Sequence, residues 1–466
     1  MKKKTIFILI ESVKRELNSK TLLALRLLKK NYRVVIGQKG NVWSIFNKCN
    51  PGIVLLKSFG PKNTETIDFL KKKKFKIVSN DEEIIVAWNM NDRVDARMNN
   101  ENLIKIDGLL SVGELDSKEI KKQFPLSANK VSIVGNIRLE LLKKKMRTTI
   151  EEESKLIKDK YGDFILFTTQ FGRVNITNQN KSSIDYVFSR IVEDNIDPVS
   201  THISNVNDQI IMQREILLQT LKFLNNFEKN FPTKKLIISP HPVENKLFWE
   251  RLLEKKNFKN ILINKDKFIS ISSFIDASDL VISSNSTTLL ESFFLEKKLI
   301  NFLGKKDRII EIDFLKKISN VVRSADELNY LLKDQKNIKK YPETVIMSKI
   351  IKNFDKDFDA FDGVIDVFDK LNDVENYKEI FINSRLNFKM FVLNGYREIK
   401  NTIKKLIKYK GNDDIYNRLH NEKIGRQLTY TSFYKRIMNM NKIEKVQNIK
   451  IRQIIPEVFL LDLSEK

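Results

Sequence analysis

Two polar corners in the second half of the chain carry residue types that bind phosphate. The first follows an apolar run at residues 236–238 and places His241 between two prolines. The second follows an apolar run at residues 280–282 and consists of hydroxyl and amide residues at positions 283–288. A strand, a polar turn and a helix in this order put hydroxyls and unpaired backbone N–H groups at the carboxyl edge of a parallel sheet, where the helix dipole also favours an anion.

These corners predict a site for the phosphate of a nucleotide. A histidine at such a corner can donate to a phosphate and support a departing nucleotide. A carboxylate one turn into the helix, Glu291, can accept ribose hydroxyls. The predicted phosphate ligands are His241, Pro242, Ser283, Ser284, Ser286 and Thr287. The alternative for each corner alone is structural: His241 caps the following helix, and the hydroxyl run is an ordinary N-cap.

The elements that must position these corners alternate between strands and helices. Apolar runs predict strands near residues 5–10, 32–37, 53–56, 76–79, 108–112, 131–134, 164–169, 236–238, 261–263, 280–282, 299–302 and 320–322. Helical intervals between such runs are typical of doubly wound parallel sheets. We therefore predict an α/β fold of two facing Rossmann-like domains, residues 1–150 and 151–345, followed by a helical, basic extension over residues 346–466. No GxGxxG follows the first strand, so the dinucleotide-binding fingerprint is absent.

The two corners resemble the C-terminal domain of GT-B glycosyltransferases. A His-Pro pair followed by a Ser-Ser pair is closest to enzymes that use CMP-activated acidic sugars, namely bacterial sialyltransferases and capsule Kdo transferases. The resemblance implies that His241, Ser283 and Ser284 contact the donor phosphate. Teichoic-acid glycerophosphotransferases and UDP-GlcNAc 2-epimerases share the architecture more distantly. The epimerases carry a glycine-containing loop where this chain has Ser-Ser-Asn-Ser, which argues against epimerase activity.

The chain up to about residue 320 also resembles a bacterial family of surface carbohydrate biosynthesis proteins. The matching segments are ESVKREL (11–17), NDEE (80–83), SVGE (111–114), GNIRLELL (135–142) and YGDFILFTTQFG (161–172). Ile137 and Glu140 stand where the family usually has Pro and Asp, and residues 168–170 stand where it usually has Asn-Thr-Asn. The resemblance implies a pathway of surface-carbohydrate synthesis more than it implies a substrate.

Carboxylates follow two predicted strands of the first domain. Glu11 follows the first strand, and Asp81, Glu82 and Glu83 follow the fourth. Both places lie at the carboxyl edge of the sheet, where such folds bind ligands. An inverting transferase needs a carboxylate to deprotonate the acceptor hydroxyl, and in GT-B enzymes this base comes from the N-terminal domain. Glu82 or Glu83 is the first candidate and Glu11 the second, and the alternative is that Asp81 or Glu82 caps the next segment.

The first loop of the second domain supplies two further candidates. In GT-B folds this loop approaches the donor phosphates. Gly172 permits close approach of the backbone, and Arg173 can pair with a phosphate or a carboxylate.

The formal net charge of +25 invites a nucleic-acid interpretation. The lysines are spread along a chain that is also rich in Ile, Asn and Phe, a bias that an AT-rich genome produces. Neither zinc-ligand spacing nor a basic-aromatic repeat is present. We therefore expect no nucleic-acid partner, and a basic surface that suits sugar phosphates and acidic lipids.

Cys49 is the only cysteine, which excludes internal disulfides and a thiol metal site and fits a reducing cytoplasm. The apolar run at residues 6–10 meets Glu11 directly and is too short for a signal peptide. No run reaches the ~18 apolar residues of a membrane span. We predict a cytoplasmic protein. The basic amphipathic stretch at residues 399–410 suits a peripheral contact with the inner face of the membrane, and a solvated surface helix is the alternative.

Together these features predict an inverting, metal-independent glycosyltransferase of GT-B type without a cofactor. Its expected partners are a nucleotide-sugar donor, for which the resemblance implies CMP, and a surface-polysaccharide or lipid-linked acceptor. Two other classes stay open. One is a glycerophosphate-type phosphotransferase, which usually relies on more histidines than the three present here. The other is a non-catalytic assembly protein of the same pathway, which the departures at Ile137 and Gln170 leave open.

Overall fold

The structure is a computed structural model that describes residues 3–60, 63–82, 84, 90–175, 201–266, 269–305, 307–308, 310–339, 345–371 and 428–464. The predictions for Glu83 and for the basic stretch at residues 399–410 lie outside these residues. Within the described part of the chain, no helix has the length and apolar character needed to cross a membrane.

Six parallel strands form the larger part of the first sheet. They are β1 (Thr5–Ile10), β2 (Arg33–Gln38), β3 (Ile53–Leu56), β4 (Lys76–Asn80), β5 (Gly108–Ser111) and β6 (Val131–Ile133). Alternate residues of β1 pack into two different hydrophobic clusters, Phe7 into one and Ile6 and Ile8 into the other. Both faces of the sheet are therefore covered, which explains why the strand is a continuous apolar run. The strand order is β2-β1-β3-β4-β5-β6, so the winding reverses between β1 and β3.

The second sheet is also parallel and covered on both faces. Its strands are β7 (Phe164–Thr168), β8 (Lys235–Ser239), β9 (Ile261–Ile263), β10 (Leu280–Ser283), β11 (Lys298–Phe302) and β12 (Asn320–Val322). They lie in the order β12-β11-β10-β7-β8-β9. The winding reverses between β7 and β10, so the carboxyl ends of these two strands form the switch point of the sheet. The two doubly wound sheets that the alternating pattern predicts are thus present.

Helices connect the strands and cover the sheets. They are α1 (Val13–Lys29), α2 (Lys39–Trp43), α3 (Thr64–Lys72), α4 (Met90–Arg97), α5 (Asn100–Lys105), α6 (Glu114–Gln123), α7 (Ile137–Glu140), α8 (Thr148–Tyr161), α9 (Thr201–Asn230), α10 (Lys246–Lys256), α11 (Ile271–Ala277), α12 (Thr287–Phe294), α13 (Asp313–Lys317), α14 (Ala325–Lys333), α15 (Val345–Ile350), α16 (Ala360–Lys370) and α17 (Tyr430–Glu444). Short 3₁₀ turns lie at Pro125–Lys130, Gln335–Asn337 and Lys352–Phe354.

After the second sheet, the chain returns to the first one. Phe354 still contacts the second half of the molecule, where it stacks on Phe294 of α12 with ring centroids 4.3 Å apart. Farther along, Phe361 and Val364 of α16 are buried in the same cluster as Ile6 and Ile8 of β1. Helix α16 therefore covers the first sheet.

The end of the chain corrects the prediction of a helical extension over residues 346–466. Strands β13 (Ile449–Ile455) and β14 (Val458–Leu463) form an antiparallel hairpin, and β14 pairs antiparallel with β2. The first sheet thereby has eight strands, in the order β13-β14-β2-β1-β3-β4-β5-β6. The physical reason lies in the sequence of β14, where the first four residues are apolar and buried. Only a sheet edge that offers backbone partners can bury such a run.

We predict that Gly37→Ala undocks this hairpin. A Cβ on Gly37 would overlap the carbonyl oxygen of Glu457 and lie 2.7 Å from Val458 Cα. Because both obstacles are backbone atoms, the strands must separate, and we expect a loss of about 1–3 kcal/mol in the free energy of unfolding. Urea denaturation measures the loss.

Gly40→Ala is the matched control. The atom nearest to its Cβ belongs to the flexible side chain of Gln38, 3.1 Å away, and alanine is favoured over glycine in a helix. Equal stability of the two variants would contradict the tight docking of β14.

Candidate active site

Polar residues at the end of β7 join the two loops of the switch point in the second sheet. Thr168 donates from Oγ1 to Ser283 Oγ over 2.7 Å. Gln170 donates from Nε2 to Ser286 Oγ over 2.9 Å. The predicted hydroxyl corner therefore lies against the first loop of the sheet, at the place where open α/β folds bind their ligands.

The hydroxyl corner is a fixed turn. Asn285 adopts a left-handed backbone with φ of 46°, and its side chain donates to Ile310 O over 2.8 Å and accepts from Ile312 N over 2.9 Å. Ser286 caps α12 by accepting from Thr288 N over 3.2 Å. The structural interpretation of the hydroxyl run as an N-cap is therefore correct for Ser286, and a ligand role would be additional.

The other hydroxyls of this corner differ in accessibility. Ser283 is completely buried and Ser284 is 4% exposed, whereas Thr287 is half-buried at the first position of α12. Ser283 thus holds the corner to β7, and a direct contact between Ser283 and a ligand requires the corner to open. Thr287 is the most accessible hydroxyl of the three.

The carboxylate of Glu244 fixes the histidine corner. It accepts from Thr169 Oγ1 over 2.8 Å, Phe171 N over 2.9 Å, His241 N over 3.2 Å and Trp249 Nε1 over 3.0 Å. Burial raises the pKa of Glu244, and the surrounding donors oppose the shift. One side chain therefore joins the β7 loop, the histidine corner and α10. Nothing in the sequence points to this role, because a Glu three residues after a histidine carries no sign of partners in another loop.

His241 is held through its backbone and is not the cap of the following helix. Asn245 takes that place and accepts from Leu247 N, so the structural alternative for His241 is wrong. Its ring Nδ1 accepts from Val243 N over 3.4 Å, which in a neutral imidazole places the proton on Nε2. The ring is half-buried and Pro242 is exposed. A half-buried imidazole with an Nε2 proton can donate to a phosphate at this edge.

Gly172 and Arg173 lie in the β7 loop, as predicted, but both have contacts of their own. A Cβ on Gly172 would overlap Cγ2 of Val243, so packing between the two corners already requires a glycine. The Arg173 guanidinium donates from Nε to Gln209 Oε1 of α9 over 2.6 Å. A phosphate role for either residue stays a prediction.

A network of opposite charges occupies the switch point of the first sheet. Glu11, at the end of β1, pairs with Lys39 over 2.7 Å and with Lys57 over 3.5 Å. Glu16, in the first turn of α1, pairs with Lys20 over 2.7 Å and with Lys57 over 3.3 Å. Burial favours the neutral form of Glu16, but Lys20 and Lys57 outweigh it and hold the pKa of this carboxyl at about 2.

The two described carboxylates after β4 differ in their surroundings. Asp81 forms a two-point ion pair with Arg97, whose Nη2 lies 2.7 Å from Oδ1. Glu82 is 6% exposed; burial raises its pKa, against the attraction of Arg138. The Glu82 side chain lies 3.7 Å from Nη1 of Arg138. Asp81 is therefore bound in a structural pair, and Glu82 is the carboxylate that lies near Arg138.

Arg138 connects the first sheet with the hydroxyl corner of the second. Its Nη2 lies 3.4 Å from Oε1 of Glu291 in α12, and the other Glu291 oxygen accepts from Ser272 Oγ over 2.8 Å. Glu82 and Glu291, predicted as base and ribose ligand, thus meet at one guanidinium. Arg138 is not among the residues predicted from the sequence. Its only signal was its place within GNIRLELL, one of the segments with a family resemblance.

Comparison with known proteins finds relatives in structure only. No protein-family model matches the sequence, and no curated protein matches it. The UDP-GlcNAc 2-epimerase of Methanocaldococcus jannaschii, in complex with UDP-GlcNAc and UDP, is similar with a TM-score of 0.50 at 12% identity, over 78% of this chain and 99% of that chain. The chain has a GT-B-type fold. The α/β architecture of two doubly wound sheets expected for GT-B enzymes is confirmed.

Two further solved structures are similar at a lower level. The UDP-GlcNAc 2-epimerase of Neisseria meningitidis, bound to UDP-GlcNAc, gives a TM-score of 0.47 at 12% identity, over 79% of this chain and all 100% of that chain. The wall teichoic acid polymerase TagF gives 0.48 at 12% identity, over 79% of this chain and 89% of that chain. In the GT-B-type fold of this chain, the candidate residues that the structure describes lie at or next to the carboxyl edges of the two sheets.

We predict that Glu16→Gln destabilises the protein in a pH-dependent way. The folded pKa of about 2 lies below the ordinary value of 4.5 for a glutamate, so the carboxylate stabilises the fold above pH 4.5 and this contribution disappears as the pH falls toward 2. We expect a loss of ~3 kcal/mol at neutral pH. Urea denaturation at several pH values measures it.

Glu65→Gln provides the matched control, because Glu65 is exposed in the first turn of α3. Its effect should be small at every pH. A difference between wild type and Glu16→Gln that does not change from pH 6 to pH 2 would refute the proposed ion network.

We predict that Glu244→Gln loosens both corners of the second sheet. A glutamine presents an amide N–H₂ to donors that are already N–H and O–H groups, so at least one buried donor loses its acceptor, at a cost of about 1–3 kcal/mol. The free energy of unfolding and the near-UV signal of Trp249 report the change. The control is Glu254→Gln, an exposed change in α10. A similar result for both variants would argue against the organising role of Glu244.

Proposed function

We propose that this protein is a glycosyltransferase that moves a sugar from a nucleotide donor to a surface-polysaccharide or lipid-linked acceptor. We further propose a CMP-activated acidic sugar as the donor, on the resemblance of the His-Pro and Ser-Ser corners. The observation that carries the proposal is the meeting of Glu82 and Glu291 at Arg138. It places a carboxylate of the first sheet opposite the hydroxyl corner of the second, as a two-domain transferase requires.

The second sheet supplies the donor site in this proposal. The phosphate lies at the N-terminus of α12, where Thr287, Ser284 and the first N–H groups of the helix are donors. The proton on Nε2 of His241 supports the departing nucleotide by stabilising the negative charge that develops on it. Glu291 accepts ribose hydroxyls while Ser272 Oγ fixes one of its oxygens. Because Glu244 holds the backbone of His241, these donors are positioned before the ligand arrives.

The first sheet supplies the base. A general base works best when its pKa lies near the working pH, and burial raises the pKa of Glu82. Glu11 is held in ion pairs with both Lys39 and Lys57, over 2.7 and 3.5 Å, so its oxygens already have partners. Glu82 is therefore our choice over Glu11. Glu82 takes the proton of an acceptor hydroxyl, whose oxygen bonds to the sugar carbon from the face opposite the nucleotide, while the bond from that carbon to the phosphate oxygen breaks and the nucleotide leaves. The configuration at the sugar carbon is thereby inverted.

We predict that a nucleotide stabilises the protein against heat and that two corner variants lose the effect. The panel consists of CMP, CDP, UMP, UDP and GDP; UDP is included because the epimerase of the same fold binds it. A ligand at ~100 times its dissociation constant should add about 2.7 kcal/mol. The expected result is stabilisation by CMP in wild type and its loss in His241→Ala and Ser284→Ala.

Ser278→Ala is the control. Ser278 is a buried serine two residues before β10, at the end opposite to Ser284, and its hydroxyl donates to Ile275 O over 2.8 Å. Stabilisation by UDP or GDP instead of CMP would refute the CMP donor. Stabilisation by none of the five would refute the nucleotide site. Release of CMP from a CDP-alcohol and not from a CMP-sugar would convert the assignment to a phosphotransferase.

A further inference from the structure

We propose that Arg138 is a positioning residue that couples Glu82 of the first sheet to Glu291 of the second, and so links donor binding to the charge of the base. The assignment of donor and base rests on the proposed function, whereas the coupling itself rests on geometry alone. The guanidinium lies 3.7 Å from Glu82 Oε2 and 3.4 Å from Glu291 Oε1. Close charge-assisted pairs have N···O distances of about 2.7–2.9 Å, so Arg138 is shared between the two carboxylates.

The backbone of Arg138 is fixed to the first sheet. Asn136 caps α7 by accepting from Arg138 N over 2.9 Å, and it donates from Nδ2 to the backbone oxygen of Glu82 over 3.1 Å. Asn353 of the returning chain accepts from Asn136 N over 2.6 Å. The guanidinium therefore extends from a fixed backbone toward the second sheet. A small shift of the guanidinium moves it from one carboxylate to the other.

Other charges near Glu82 are already engaged with each other. Lys20 and Lys57 both pair with Glu16, and all three act on Glu82 from a distance in addition to Arg138. Arg138 is thus the cation near Glu82 whose second partner belongs to the other half of the molecule. Competition between Glu82 and Glu291 for this cation gives each carboxylate an influence on the other.

Donor binding enters through Glu291. Ribose hydroxyls that donate to Glu291 compete with Arg138 for its oxygens and reduce its hold on the guanidinium. The guanidinium then moves toward Glu82 and favours the ionised form, which is the form that accepts a proton from the acceptor. Such coupling is reciprocal, so removal of the charge on Glu82 should release Arg138 to Glu291 and weaken nucleotide binding.

The first test needs no ligand. The free energies of unfolding of wild type, Glu82→Gln, Glu291→Gln and the double variant form a cycle, which is repeated in an Arg138→Gln background. We expect non-additivity that corresponds to roughly a fivefold factor or more in the folding equilibrium constant, and additivity once Arg138 is replaced. Arg138→Lys should behave like Arg138→Gln in this cycle, since a single ammonium cannot divide a planar fork between two carboxylates.

The second test is the dissociation constant of CMP and of UDP, measured by calorimetry. We expect Glu82→Gln to weaken binding roughly fivefold or more in wild type, and to change it less than twofold in the Arg138→Gln background. Arg147→Gln is the control background, because Arg147 has a similarly buried guanidinium that pairs with Glu151 on its own helix. There the full effect of Glu82→Gln should persist.

The outcomes separate the two proposals. Additive effects of Glu82 and Glu291 in the ligand-free cycle overturn the coupling, whether or not a nucleotide binds. A coupled cycle in a protein that binds neither nucleotide supports the role of Arg138 and overturns the donor assignment. If the ligand-free cycle shows coupling but Glu82→Gln leaves the dissociation constant of the nucleotide unchanged, the link to donor binding is overturned.

Discussion

The buried carboxylate of Glu244 is the interaction on which the arrangement of the two corners of the second sheet depends. A carboxylate that is 1% exposed is costly unless donors surround it, and here the donors come from three separate segments of the chain. Thr169 and Phe171 belong to the β7 loop, His241 belongs to the loop after β8, and Trp249 belongs to α10. If either loop moves, the Glu244 carboxylate loses hydrogen-bond donors or becomes exposed to solvent. The corners are therefore fixed relative to one another before any ligand binds.

The return of the chain to the first sheet has the corresponding role for the residues around Arg138. Lys352 donates from its backbone N to Val112 O, and Asn353 exchanges hydrogen bonds with the backbone of Asn136. Val112 and Asn136 lie in SVGE and GNIRLELL, two of the segments that resemble surface carbohydrate biosynthesis proteins. In this structure both segments bind the returning chain, so they have a structural task in this protein. The same contacts fix the backbone of Arg138, which lies two residues after Asn136.

Local patterns explain what could be predicted from the sequence. The apolar runs of β1 and β10 lie between helices on both faces, and such runs can be recognised without knowledge of their neighbours. The corner at Ser286 was also predictable, because an N-cap is set by residues adjacent in the chain. Glu244 and Arg138 were not, since their partners lie in other loops and strands. The hairpin β13-β14 was missed because its partner, β2, is separated from it by most of the chain.

The fold gives carboxylates of one kind different chemistry through their surroundings. Glu16 and Glu82 are both almost completely buried at the same edge of the first sheet. Two lysines close to Glu16 outweigh its burial and lower its pKa to about 2. The guanidinium of Arg138, which Glu82 shares with Glu291, does not outweigh the burial of Glu82, and the pKa of Glu82 is raised. A strongly held anion such as Glu16 suits a structural task, because no change of ligand will protonate it. Glu82 pairs with Arg138, which also pairs with Glu291. Such a carboxylate suits the proton transfer that we propose, because the proposed coupling makes its charge depend on the other half of the molecule.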